Sequence, residues 1–85
     1  MKSNTIKVNA ANGMEARPIA LLVQEAGRYD SRIYLAMGSK KVNAKSIMGM
    51  MSLGLTNGDE ITVTAEGEDE DAAIEGVSKF LAGQQ

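Results

Sequence analysis

The feature that most constrains the fold is a hydrophobic period that switches between two residues and about 3.6 residues at short turn signals. Period-two alternation predicts strands, and apolar residues three and four apart predict helices. The predicted strands cover residues 5–9, 32–37, 40–43 and 60–66, and the predicted helices cover residues 17–27, 47–53 and a segment that follows Asp69. The order of elements is therefore βαββαβα.

Short turns between the strands decide how they pair. Gly38 and Ser39 fit a two-residue hairpin turn, and strands joined in this way pair antiparallel. All three helices must then cover one face of the sheet. We predict an α+β fold, an open-faced β-sandwich whose four-stranded antiparallel sheet has three helices on one face. The residues expected on the other, solvated face are Lys7, Asn9, Tyr34, Thr62 and Thr64.

Capping residues set the expected helix boundaries. Pro18 suits the first turn of a helix, because its missing N–H is not needed there, and Gly27 is a plausible stop. Ser46 predicts the N-cap of the short helix, which Gly54 closes. Asp69 is expected to cap the last helix.

Composition narrows the classes of function. The chain has 85 residues, so we expect one domain over 1–85, and its net charge of −2 offers no overall attraction to nucleic acid or an anionic membrane. It contains no His and no Cys, which removes the commonest general base, metal ligand and strong nucleophile. No apolar run approaches the roughly 18–20 residues of a membrane span, and no signal peptide is evident. We therefore expect a cytoplasmic protein that is not an enzyme, binds no cofactor or metal, and neither contacts nucleic acid nor inserts into membranes.

Two segments depart from ordinary patterning. Residues 13–19 read Gly-Met-Glu-Ala-Arg-Pro-Ile, and residues 45–53 read Lys-Ser-Ile-Met-Gly-Met-Met-Ser-Leu, a helix apolar nearly all round but too short to be buried on every side. The chain resembles the HPr family, the phosphocarrier proteins of the bacterial sugar phosphotransferase system (PTS). Family members carry Gly-(Ile/Leu/Met)-His-Ala-Arg-Pro-Ala at the first segment, and the second segment matches their motif completely. The resemblance extends from the first strand to the last helix.

The first segment implies a changed phosphorylation site. In HPr proteins the histidine accepts a phosphoryl group from enzyme I and passes it to sugar-specific enzyme II domains, but Glu15 stands at this position. Ala16 and the guanidinium of Arg17, at the start of the predicted helix, would still form an anion cradle. A carboxylate would not reproduce the transfer chemistry of imidazole. The resemblance therefore implies impaired phosphocarrier activity and no catalytic residue.

The second segment implies a regulatory site at Ser46. In Gram-positive HPr proteins this serine is phosphorylated by an ATP-dependent serine kinase/phosphorylase, and the product is a corepressor for a LacI/GalR-type catabolite repressor. A phosphate at a helix N-cap is electrostatically favoured. The partner-binding residues that the resemblance implies are Arg17, Gln24, Ile47, Met48 and Met51.

A histidine-less relative, the catabolite-repression protein Crh, has Gln at the position of Glu15 and resembles this chain in character. The sequence leaves three interpretations of Glu15 open: natural divergence, an engineered change, or a fixed charge that imitates phosphohistidine. Besides carbon catabolite repression through Ser46, the sequence leaves two other functions open. One is a sugar-uptake phosphocarrier with a substituted residue 15, and the other is an interaction domain that uses neither site.

Overall fold

The computed structural model describes residues 1–9 and 16–83, with backbone alone for residues 16 and 17. The strands are β1 (Lys2–Lys7), β2 (Arg32–Met37), β3 (Lys40–Asn43) and β4 (Glu60–Glu66), and the helices are α1 (Ala16–Gly27), α2 (Ile47–Leu53) and α3 (Glu70–Leu81). This order confirms the predicted βαββαβα arrangement, and the bounds of β2, β3, α2 and β4 match the prediction.

The four strands form one antiparallel sheet in the order β1-β4-β2-β3. Tyr34 in β2 pairs with Thr64 of β4 on one side and with Asn43 of β3 on the other. Thr5 pairs with Thr62, and their hydroxyls are 3.0 Å apart. These polar side chains lie on the open face, where the sequence predicted Tyr34, Thr62 and Thr64. The ammonium of Lys41 lies 4.8 Å above the ring of Tyr34, a cation–π contact.

The hydrophobic core lies between the other face of the sheet and the helices. Alternate residues of β2 and β4 point into it, since side chains of a strand point to opposite faces in turn. The buried apolar side chains are Val8, Ile19, Leu22, Ala26, Ile33, Leu35, Ala44, Met50, Leu53, Leu55, Ile61, Val63, Ala65, Ala73, Val77 and Leu81. α3 packs on β1, β4 and α1, while α2 packs on β3 and α1.

The predicted bounds of the first strand were wrong. The prediction placed it at 5–9, but β1 runs over Lys2–Lys7 and pairs with residues 60–65 of β4, and Asn9 lies beyond its end. The helix-facing positions of this edge strand include Asn4, whose amide donates to the hydroxyl of Ser78 in α3 at 3.3 Å. Because this helix-facing position is polar, the first half of β1 lacks the alternation of apolar and polar residues by which the other strands were predicted.

Asp69 lies at the N-cap position of α3, as predicted, and its carbonyl accepts from the N–H of Ala73 at 2.9 Å, but its side chain does not act as the cap. Its side chain makes no capping hydrogen bond to α3. The carboxylate instead accepts hydrogen bonds from the backbone N–H groups of Asp30 and Ser31, each at 2.9 Å, and from the Ser31 hydroxyl. The hydroxyl contact comes first among the causes that hold the pKa of the Asp69 carboxyl below its ordinary value. The carboxylate thus joins the start of α3 to the loop between α1 and β2.

Candidate functional site

Ser46 occupies the N-cap of α2, as the sequence predicted. Its backbone is extended, with φ −110° and ψ 117°, and its Oγ accepts a hydrogen bond from the N–H of Gly49 at 3.1 Å. The backbone carbonyl of Ser46 accepts the first helical hydrogen bond, from Met50 at 2.9 Å. The residue is half-buried. Its hydroxyl is therefore held in one place at the protein surface.

Lys45 anchors the chain just before this cap. Its backbone N–H donates to the side-chain oxygen of Asn43 at 2.8 Å, which forms a local turn. Its ammonium donates to the backbone carbonyl of Tyr29 at 2.6 Å, just beyond the end of α1. Lys45 therefore ties the entrance of α2 to the α1–β2 loop.

The apolar residues of α2 divide between the core and the solvent. Met50 and Leu53 are fully buried, whereas Ile47 is 47% exposed, Met48 80% and Met51 51%. The helix ends at Gly54, whose φ of 67° suits glycine because L-residues with a side chain avoid the left-handed region. We call the exposed side chains of Ile47, Met48 and Met51 the docking surface. Its exposure confirms the expectation that so short a helix cannot bury its whole circumference.

The other predicted site residues are placed less completely. Ala16 and Arg17 begin α1, but their side chains lie outside the described part of the structure, as does Glu15. Gln24 is exposed on α1. The structure thus brings the predicted residues of α2 together behind Ser46, while the anion cradle at the start of α1 stays a prediction.

A second surface feature was not predicted from the sequence. A shallow groove of about 720 Å³ lies between α1 and α3, and its lining includes Leu21, Gln24 and Phe80. Leu21 is 43% exposed; its position outside the apolar stripe of α1 was the signal that could have revealed it. At one end, the hydroxyl of Tyr29 donates to the carboxylate of Glu25 at 2.9 Å.

Charges inside this groove already have partners. Glu25 accepts from Arg28 at 3.1 Å, and Lys79 lies 2.9 Å from the carboxylate of Glu75. Burial, and then the hydrogen bond to Glu25, raises the pKa of the Tyr29 hydroxyl. Within residues 1–9 and 16–83, no group of three acidic side chains could hold a metal ion, and no helix is long and apolar enough to cross a membrane.

A four-stranded antiparallel sheet, helices on one face and a serine-capped apolar helix define an HPr-type phosphocarrier or regulatory protein. The model of the family described as "PTS HPr component phosphorylation site" matches residues 2–83, and the chain belongs to this family.

Similar proteins include both phosphocarrier HPr proteins and the catabolite-repression protein Crh, the two kinds of relative that the sequence suggested. The HPr-like protein Crh of Bacillus subtilis is 47% identical over 81 residues, which are 95% of each chain. The crystal structure of HPr-C-His from Thermoanaerobacter tengcongensis superposes with a TM-score of 0.92 at 44% identity, over 99% of this chain and 94% of the other. The crystal structure of the Bacillus subtilis catabolite repression protein Crh, a domain-swapped dimer, superposes with a TM-score of 0.79 at 46% identity. The match covers 93% of this chain and 86% of the other.

These comparisons confirm the resemblance to HPr and to Crh. Proteins of this family are phosphocarrier or regulatory proteins of the PTS and not enzymes, which also confirms that part of the prediction.

Proposed function

We propose that this protein regulates carbon catabolite repression through phosphorylation of Ser46. The observation that carries the proposal is the position of the Ser46 hydroxyl, at the protein surface and directly before the docking surface. A modification at this hydroxyl and a partner that reads it would therefore meet on one helix. The similarity to a catabolite repression protein of Bacillus subtilis supports the same role.

The modifying partner is an ATP-dependent serine kinase/phosphorylase of the HPr type. Oγ of Ser46 attacks the γ-phosphorus of ATP, its proton goes to a base of the kinase, and ADP leaves. The Oγ–Gly49 hydrogen bond at 3.1 Å shows that a backbone donor is already directed at this position. The new phosphate oxygens can accept the same N–H group, so phosphorylation is compatible with an intact α2.

The reading partner is a LacI/GalR-type repressor in the cytoplasm. Met48 and Met51 give it flexible, polarizable side chains, which adapt to an apolar partner surface. Arg17 and Gln24 on α1 are proposed to complete the contact. α2 itself carries no charged residue, so the phosphate at Ser46 would supply its charge and the docking surface its apolar contact.

Residue 15 supports a regulatory rather than a relay role. Glu15 has no imidazole nitrogen to carry a phosphoryl group from enzyme I to an enzyme II domain. A phosphocarrier for sugar uptake with a substituted residue 15 is the second candidate function, which the family match favours.

Two parallel reactions test the proposal. The protein is incubated with ATP and an HPr-type serine kinase, and separately with phosphoenolpyruvate and enzyme I, and each product is weighed by mass spectrometry. We expect one phosphate from the kinase alone, lost in Ser46→Ala. Ser52→Ala is the matched control, because Ser52 is also on α2 but its exposed hydroxyl donates to the carbonyl of Gly49 at 2.7 Å. A labile phosphate added only by enzyme I would support the second candidate instead.

A further inference from the structure

The docking surface carries two of the exposed thioether sulfurs of this protein, and Met1, 77% exposed, carries another. The chain has six methionines and no cysteine, so thioethers are its sole sulfur groups. Met48 is 80% exposed and Met51 51%, while Met50 between them is fully buried. Methionines with opposite exposure thus stand within about one turn of one short helix, on opposite sides of it.

We propose that Met48 and Met51 form an oxidation site, at which a hydroperoxide converts the docking surface from apolar to polar. A thioether sulfur attacks one oxygen of the peroxide, an S–O bond forms and the O–O bond breaks. Hydrogen peroxide is reduced to water, and the sulfur is oxidised by two electrons to a sulfoxide. With no thiol in the chain to react first, exposure decides which sulfur is oxidised.

The fold tolerates this change at the exposed positions. The side chain of Met48 loses few contacts when it becomes polar, because most of it already faces solvent. The buried sulfur of Met50 is reached by peroxide only when the helix or the whole domain opens. Oxidation therefore changes the surface while the native packing beneath it persists.

The consequence concerns the partner of the proposed function, on which this part of the inference rests. α2 has no charged side chain, so its contact with a partner depends on apolar atoms. A sulfoxide oxygen buried in such a contact loses its hydrogen bonds to water. We expect the affinity of the oxidised protein to fall roughly tenfold or more. A methionine sulfoxide reductase would restore it.

The first test needs no partner. The folded protein is treated with hydrogen peroxide, and each methionine is followed by peptide mapping. We expect Met48 to oxidise at least about tenfold faster than Met50, with Met51 between them, and the melting temperature to stay within a few degrees. The oxidised protein should leave a native hydrophobic-interaction column earlier. Equal rates at Met48 and Met50, or unchanged retention, would overturn the proposal.

The second test measures binding of the Ser46-phosphorylated protein to its repressor before and after peroxide. The reference is the Met48→Leu/Met51→Leu double variant, which keeps two apolar side chains but cannot be oxidised there, and which retains the exposed sulfur of Met1. Peroxide should weaken the unsubstituted protein and leave the affinity of this variant where it began. Equal losses in both proteins would refute the assignment. If the untreated phosphoprotein does not bind, the proposed function fails, while peptide mapping and retention still decide the oxidation site.

Discussion

Neighbouring methionines of α2 offer a sharp test of where the core ends and the docking surface begins. Met48 and Met50 are two residues apart on the same helix, yet one is 80% exposed and the other fully buried. The same substitution, Met→Ala, can therefore be made at both positions. The helix propensity of the new residue is equal in the two variants, so the difference between them reports burial.

The expected magnitudes differ severalfold. Met50→Ala removes a buried side chain and leaves a cavity, which costs about 2–5 kcal/mol in the free energy of unfolding. At Met48 only a fifth of the side chain is withdrawn from water, which is worth about 0.3–0.6 kcal/mol. For a domain of this size, Met50→Ala should lower the melting temperature by at least roughly 8 °C and Met48→Ala by no more than roughly 5 °C.

Thermal and urea unfolding, followed by circular dichroism, measure both variants. Binding of the phosphorylated proteins to the repressor should rank the two variants in the opposite order. Met48→Ala should lose more affinity than Met50→Ala, because it removes a docking side chain while the folded fraction stays high. Equal melting temperatures for the two variants would refute the division of α2 into a buried and an exposed side. Wild-type affinity in Met48→Ala would remove Met48 from the docking surface.

Three further predictions concern Gly67 and Asp69, which contact Ser31 in the loop between α1 and β2, and the N-cap at Ser46. In Gly67→Ala, a Cβ would stand 2.8 Å from the backbone Cα of Ser31, with φ at 155°; we expect a loss of at least about 2 kcal/mol in urea unfolding, against little change in Gly27→Ala, where nothing lies within 4 Å. Hydrogen bonds lower the pKa of Asp69, so its stabilising effect is complete above its unfolded-state pKa of about 3.9 and is lost as pH falls through the lower folded-state pKa. Urea melts should show a constant deficit for Asp69→Asn near neutral pH that closes in stronger acid, and a deficit that persists at pH 2 would contradict this. Ser46→Ala should lose the cap and about 1 kcal/mol of stability even without phosphorylation, a change that differential scanning calorimetry can detect.

Local patterns predicted α2 and its surroundings well. Ser46 and Gly54 act within one turn of the helix that they bound, so the residue types carry enough information. The shortness of the apolar helix predicted its partial exposure. It did not predict that Met50 is the buried methionine, because that depends on how α2 lies against β3 and α1.

Long-range contacts account for the errors. The side chain of Asp69 bonds to Ser31, which is 38 residues away in the chain, so no local pattern distinguishes this contact from an N-cap. The start of β1 is set by its pairing with β4, as Lys2 lies opposite Ala65. When backbone pairing with a neighbouring strand sets the register, an edge strand can extend over residues that are not apolar. Tertiary structure therefore decided both features.

The central claim is that Ser46 phosphorylation turns the docking surface into a repressor-binding site. Isothermal titration calorimetry of a LacI/GalR-type catabolite repressor with the protein, before and after phosphorylation at Ser46, tests it most directly. A charge-assisted contact to phosphate predicts that the phosphorylated form binds at least about tenfold more tightly. Equal affinity of the two forms, or binding that survives Ser46→Ala after kinase treatment, would contradict the claim.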